Sequence, residues 1–145
     1  FEKPEAIAGV ATGAIGIGML VADYLDLPFI YVRPEAKKHG RKNQIEGEIE
    51  KGKKVMVIED LISTGKSSIG AIRALKSHGL SVIGMVAIFT YEFGISEENI
   101  NNENLKLKTL SNYSTLLKIA QKTEYISESE CKILEKWNQA PSSWS

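Results

Sequence analysis

Residues 55–68, VMVIEDLISTGKSS, constrain the fold of this 145-residue chain more than any other stretch. They open with four apolar residues, three of them β-branched, which predict a buried strand of a parallel sheet. Glu59 and Asp60 follow where that strand is expected to end. A Ser/Thr/Gly turn comes next, and apolar residues at helical spacing then predict a helix over 67–77. This order predicts an α/β domain with a central, mostly parallel sheet flanked by helices on both faces.

The turn after the two acids suits a phosphorylated sugar. Ligands of open α/β sheets bind beyond the carboxyl ends of the strands. A turn that enters a helix presents free backbone N–H groups and the positive end of the helix dipole, which attract phosphate. Two adjacent carboxylates would repel phosphate alone, but they fit a ligand that also carries hydroxyl groups or a metal ion. The alternative is a plain βα turn with exposed acids.

Two better-known phosphate motifs do not fit this sequence. Residues 65–67, Gly-Lys-Ser, match the end of a P-loop, but the first glycine of that motif falls at Asp60. A dinucleotide-binding G-x-G-x-x-G that begins at Gly16 has Val21 in place of its third glycine. The sequence therefore excludes both kinds of nucleotide site.

The composition is that of one ordinary globular domain, with 43% hydrophobic and 25% charged residues. Eighteen acidic and eighteen basic residues balance, so charge gives no argument for nucleic acid or an anionic membrane as a partner. No apolar run reaches the roughly 20 residues that span a bilayer. The single cysteine, Cys131, fits a reducing compartment, and we expect a cytoplasmic protein. We also expect the chain, which lacks an initiating Met, to be a fragment or a processed product.

A second strand-turn-helix unit precedes the acidic one. Residues 6–11 form a small apolar strand, a glycine-containing turn follows over 12–16, and helical periodicity extends over 17–25. Since both units are βα units, their turns should lie at the same edge of the sheet. Glycines in this turn would allow a ligand to approach the backbone closely, although they also suit a tight turn with no ligand.

The remaining elements are predicted from the spacing of their apolar residues and from the turn and capping residues at their ends. Strands are predicted over 28–32, 81–89 and 106–110. An edge hairpin is predicted over 44–53, and it leads into the strand at 54–58. Helices are predicted over 113–122 and 127–138. Ser111 or Asn112 is the expected cap of the first of these helices, and Ser127 with Glu130 forms a capping box for the second. Cys131 shares the apolar face of the last helix, which indicates a core residue rather than a nucleophile.

The segment over 34–43 carries five basic side chains and almost nothing apolar. Because it cannot dock by hydrophobic burial, we expect a mobile, solvated loop. By itself this pattern is also typical of a solvated charged surface.

Three stretches together resemble the type I phosphoribosyltransferases, and among them the orotate phosphoribosyltransferases. Residues 57–67 are similar to the family's phosphoribosyl-pyrophosphate binding motif. Residues 33–47, with RPEAKKHG followed by NQIEG, resemble the mobile catalytic loop, and residues 86–91 match a later strand. The resemblance covers nearly the whole chain and implies a Rossmann-like core domain over 1–145. It also implies an N-terminal segment over the base site that this sequence lacks.

The resemblance implies that the chain transfers a 5-phosphoribosyl group from phosphoribosyl pyrophosphate to orotate, with Mg²⁺ as cofactor and no side chain as a direct metal ligand. Lys37, His39 and Asp60 are the implied catalytic residues, and Lys and Arg brought over the departing pyrophosphate would stabilise its charge. The implied substrate-binding residues are Arg33, Lys37, His39, Glu59, Asp60, Leu61, Ile62, Ser63, Thr64, Gly65, Lys66 and Ser67.

Alternatives remain at this point. One is a purine-type phosphoribosyltransferase, and another is a regulatory protein that binds phosphoribosyl pyrophosphate without catalysis. The loop with Lys37 and His39 favours an enzyme, because an effector site has no leaving group to stabilise. The resemblance further implies a homodimer in which each loop serves the partner's active site.

Overall fold

A six-stranded sheet forms the centre of the structure, a computed structural model that describes residues 1–33 and 43–143. The strands are β1 (Ala6–Val10), β2 (Phe29–Val32), β3 (Ile45–Glu46), β4 (Lys54–Ile62), β5 (Ser81–Thr90) and β6 (Leu107–Asn112). Their order across the sheet is β3-β2-β1-β4-β5-β6. In the described residues β3 pairs antiparallel with β2, and the other four neighbouring pairs are parallel. The expected mostly parallel α/β sheet is confirmed.

Helices cover both faces of the sheet, as expected. They are α1 (Ala14–Leu25), α2 (Lys66–Ser77), α3 (Gly94–Asn102), α4 (Tyr113–Lys122) and α5 (Glu128–Gln139), followed by a 3-10 turn at Pro141–Ser143. The larger core joins one sheet face to α2 and α3 through Ile72, Leu75 and Ile100. A smaller core joins the other face to α1 through Ala14 and Ala22. Within the described ranges, no helix is both long and apolar enough to cross a membrane.

Two sequence-based expectations are wrong. Strand β4 does not end before the acids but continues to Ile62, because Leu61 and Ile62 still pair with β5. The hairpin expected between residues 44–53 and β4 does not form, since Ile45 and Glu46 pair instead with β2. Helix α3 was not predicted at all.

The two C-terminal helices begin where the sequence indicates. The Asn112 side chain accepts a 2.8 Å hydrogen bond from the Thr115 amide and caps α4. Ser127 and Glu130 form the expected capping box of α5. Cys131 is 7% exposed and belongs to a third apolar cluster with Tyr113 and Leu117, so its assignment to the core is confirmed.

Candidate active site

Three adjacent strands, β2, β1 and β4, bring the polar residues of the site to one edge of the sheet. Arg33 follows β2, the turn with Thr12 and Gly13 follows β1, and Asp60 lies near the end of β4. The three strands are parallel, so their carboxyl ends lie side by side. This is the position at which open α/β sheets bind ligands.

Glu59 and Asp60 point to opposite faces of β4, because successive side chains of a strand alternate. Glu59 is directed to the α2 face, where its Oε2 accepts a 2.7 Å hydrogen bond from the Ser68 hydroxyl. Its Oε1 accepts a 3.1 Å hydrogen bond from the Asp60 amide. Glu59 is only 4% exposed. Burial, with a further contribution from neighbouring Asp60, raises the pKa of Glu59 to about 7.

Asp60 is half-buried and is directed to the α1 face, toward the β1–α1 turn. Its Oδ1 accepts a 2.8 Å hydrogen bond from the Leu61 amide. A Cβ atom on Gly13 would lie 2.5 Å from the Asp60 carboxyl carbon. The glycine therefore leaves the space that the Asp60 carboxylate occupies, and the acid meets the β1–α1 turn directly.

Residues 63–65 form the turn into α2. We call residues 63–67, which include the first two residues of the helix, the phosphate turn, after the ligand that the sequence predicts for them. Gly65 has φ +75°, a left-handed conformation that favours glycine, and α2 begins at Lys66. Helix α3 supports this turn from outside. The Asn99 side chain donates a 2.9 Å hydrogen bond to the Thr64 carbonyl, and Ser96 lies 3.8 Å from the Cβ position of Gly65.

The other predicted residues of this motif differ in what they can offer a ligand. Ile62 is buried in the larger core, and its carbonyl accepts a 3.0 Å hydrogen bond from the Tyr91 amide, so the residue supports the turn rather than offering a side chain to a ligand. Leu61, Thr64, Lys66 and Ser67 have exposed side chains. The first amides of any helix have no intrahelical acceptor, so the start of α2 supplies donors for an anion.

Arg33 lies beside the same edge. Its Nε atom is buried and has no hydrogen-bond partner among the residues that the structure describes. Its guanidinium carbon lies 5.5 Å from the centre of the Tyr31 ring. An unpaired buried donor on a permanent cation favours an anionic ligand at this position. Lys37 and His39 lie outside the described residues.

Sequence reasoning missed two residues that hold the site together, Ser68 and Asn99. Ser68 was detectable in principle, because it is a polar residue on the buried face of α2 with Ile72 and Leu75. Asn99 left no such signal, because its helix has no clear apolar period.

The described residues contain no group of three or more His, Cys, Asp or Glu side chains arranged to hold a metal ion. Because Glu59 is turned inward, Asp60 is the motif carboxylate that remains at the sheet edge. One carboxylate fits Mg²⁺, which is commonly bound through one or two carboxylates, substrate phosphates and water.

Comparisons with known proteins agree with this geometry. The family described as "Phosphoribosyl transferase domain" matches residues 1–117. Orotate phosphoribosyltransferase of Bacteroides thetaiotaomicron is 51% identical over 144 residues, which is 99% of this chain and 68% of that protein. The chain thus spans about two thirds of that relative's length.

Solved structures give the same fold. The crystal structure of orotate phosphoribosyltransferase from Aeropyrum pernix matches with a TM-score of 0.73 and 31% identity, over 86% of this chain and 68% of that one. Adenine phosphoribosyltransferase from Leishmania tarentolae matches over 78% of this chain and 63% of that one, with a TM-score of 0.63. At 22% identity this second likeness concerns the fold alone.

Proposed function

This chain belongs to the phosphoribosyl transferase domain family, and from that premise we propose that it is an orotate phosphoribosyltransferase. It joins orotate to the 5-phosphoribosyl group of phosphoribosyl pyrophosphate and releases orotidine 5′-monophosphate and pyrophosphate. The observation that carries the proposal is the meeting of Asp60, the phosphate turn and the β1–α1 turn at one sheet edge. The 51% identity to an orotate enzyme selects orotate over a purine base.

Each end of the sugar phosphate has a matching partner at this edge. The phosphate turn and the first amides of α2 hold the 5′-phosphate. Asp60 accepts hydrogen bonds from the ribose hydroxyls. Arg33, with its unpaired buried Nε, binds the pyrophosphate beside the β1–α1 turn. Lys37 and His39 complete the pyrophosphate site from the loop that follows Arg33.

The reaction needs no covalent intermediate with the protein. The bond between the sugar's anomeric carbon and pyrophosphate breaks, and a bond to a ring nitrogen of orotate forms. Catalysis then comes from positioning the two reactants and from stabilising the charge of the departing pyrophosphate. Arg33 and Lys37 contribute fixed positive charge, and His39 donates a hydrogen bond or a proton. Asp60 would help to hold Mg²⁺, which would supply further positive charge against the departing pyrophosphate.

An assay with four bases tests the proposal. The chain is mixed with phosphoribosyl pyrophosphate and Mg²⁺, and orotate, adenine, hypoxanthine or xanthine is added in turn. We expect nucleotide formation with orotate alone. A purine nucleotide as the main product would contradict the base assignment. Tight binding of phosphoribosyl pyrophosphate by calorimetry, with no product from any base, would contradict catalysis by this chain.

The working unit in this proposal is a cytoplasmic homodimer whose two active sites are shared. Residues 34–43, which the sequence predicts to be a loop, carry five basic side chains, and such a segment needs an anionic target within reach. A two-fold dimer would place each loop over the pyrophosphate of the partner's site. The single cysteine is compatible with a reducing compartment.

A further inference from the structure

The hydrogen bond between Glu59 and Ser68 joins the two ends of the segment that contains the phosphate turn. Glu59 lies on β4 immediately before residues 60–67, and Ser68 lies on α2 immediately after them. The Ser68 hydroxyl donates to Glu59 Oε2 over 2.7 Å, and both residues are buried, at 2% and 4% exposure. The hydrogen bond therefore links the two ends of residues 60–67 on the side that faces the core.

The Glu59 carboxyl has both oxygens engaged inside the protein. Oε2 accepts from Ser68 and Oε1 accepts from the Asp60 amide, so the carboxyl is held away from the sheet edge. Asp60, one residue later, is half-buried and faces the β1–α1 turn. The two acids thus have different surroundings although they are neighbours in sequence.

We propose that Ser68 is a positioning residue: its hydrogen bond to Glu59 keeps the phosphate turn in its binding shape. The ligand in this inference rests on the proposed function, whereas the hydrogen bond itself is a property of the chain. Ser68 touches no reacting atom.

Loss of the hydroxyl should loosen the turn because it leaves a buried carboxyl oxygen without its donor. The carboxyl would then turn toward water at the sheet edge, and the segment between the two ends would lose its closing contact. The start of α2 would no longer present its amides in one fixed arrangement. Affinity for a phosphate placed there should fall.

Calorimetry with phosphoribosyl pyrophosphate and Mg²⁺ tests this effect. We expect Ser68→Ala to weaken binding about tenfold, because the buried carboxyl loses a hydrogen bond and the turn loses its fixed shape. Ser77→Ala, an exposed serine on the same helix, is the matched control and should bind within about twofold of the parent chain. In a Glu59→Ala background, Ser68→Ala should add little, since the partner is already absent.

Amide hydrogen exchange of residues 61–67 in the ligand-free chain supplies a second readout. Exchange should become faster in Ser68→Ala and stay unchanged in Ser77→Ala. A lower melting temperature of Ser68→Ala with unchanged affinity and unchanged exchange of the turn would overturn the inference. If the parent chain itself fails to bind phosphoribosyl pyrophosphate, the proposed function has failed, and the exchange data still decide whether Ser68 holds the turn.

Discussion

Gly13 and Asp60 meet at the gap between the β1–α1 turn and the end of β4. A Cβ atom on Gly13 would stand 2.5 Å from the carboxyl carbon of Asp60 and would overlap its Oδ2. The two residues are 47 positions apart in the sequence, and they come together because β1 and β4 are neighbours in the sheet. Because Gly13 has no side chain, the Asp60 carboxylate can occupy this position.

Gly13→Ala should displace the Asp60 carboxylate and weaken phosphoribosyl pyrophosphate binding by about tenfold or more, because a charge-assisted hydrogen bond is lost. The backbone at Gly13 is right-handed, with φ −63°, so alanine brings no backbone strain. Gly16→Ala is the matched control, because a Cβ there meets nothing within 4 Å. It should keep full affinity and raise the free energy of unfolding by about 0.5–1 kcal/mol. Equal affinities of Gly13→Ala and Gly16→Ala for phosphoribosyl pyrophosphate would refute the placement of Asp60 in the binding site.

Asp60→Asn tests the acid itself. The change keeps the shape of the side chain and removes the charge that accepts hydrogen bonds from the ribose hydroxyls. We expect affinity for phosphoribosyl pyrophosphate to fall about 10- to 100-fold in titration calorimetry with Mg²⁺. The melting temperature should change little, since Asp60 is only half-buried. Unchanged affinity in the folded variant would remove Asp60 from the site.

Glu59 should make the stability of the ligand-free chain depend on pH. Burial raises its pKa from 4.5 to about 7, so the folded state binds a proton that the unfolded state releases between these values. The free energy of unfolding contributed by Glu59 is then fully present below pH 4.5 and is lost as pH rises through 7, a fall of about 3 kcal/mol.

Urea unfolding at several pH values between 5 and 8 measures this dependence. Glu59→Gln should flatten the fall of stability with pH, because the variant cannot ionise. Glu98→Gln, at an exposed position on α3, should leave the dependence as it is in the parent chain. An identical pH dependence in the parent chain and in Glu59→Gln would show that this carboxyl does not titrate as expected.

Cys131 should react slowly in the folded chain. Burial, with a further contribution from Glu135, raises the pKa of its thiol, so little thiolate is present at pH 8. We expect alkylation by iodoacetamide, followed by mass spectrometry, to be at least about tenfold slower in buffer than in urea. Equal alkylation rates in buffer and in urea would mean that the Cys131 thiol is accessible to the reagent in the folded chain.

Subunit mixing tests whether the active sites are shared. Lys37→Ala should be nearly inactive, since loss of one charge-stabilising donor costs about a hundredfold or more in rate. Asp60→Asn should be nearly inactive because the carboxylate that accepts hydrogen bonds from the ribose hydroxyls is lost. Mixed and allowed to exchange subunits, they should regain activity, because one site of each heterodimer has both an intact loop and an intact acid. Each variant mixed with itself is the control. If heterodimers form and activity stays absent, the loop serves its own chain.

The sequence predicted most elements because their patterns are local. Alternation, helical period and caps indicated the helices and strands around both βα units, and Asn112 and Ser127 cap the helices as expected. The end of β4 was misjudged, because pairing of Leu61 and Ile62 with β5 is a long-range property. Helix α3 was missed because it is rich in Glu and Asn, and its position depends on burial of Ile100.

The sequence alone determined that two adjacent acids, a turn and a helix accompany a buried strand of a parallel sheet, because strand, turn and helix follow one another without a break. Only the tertiary structure decided what surrounds each of the two acids. Alternation along β4 sends Glu59 and Asp60 to opposite faces, but the packing of α2 and α1 decides what each one meets. Glu59 meets the Ser68 hydroxyl in the core, and Asp60 meets the empty Cβ position of Gly13 at the edge.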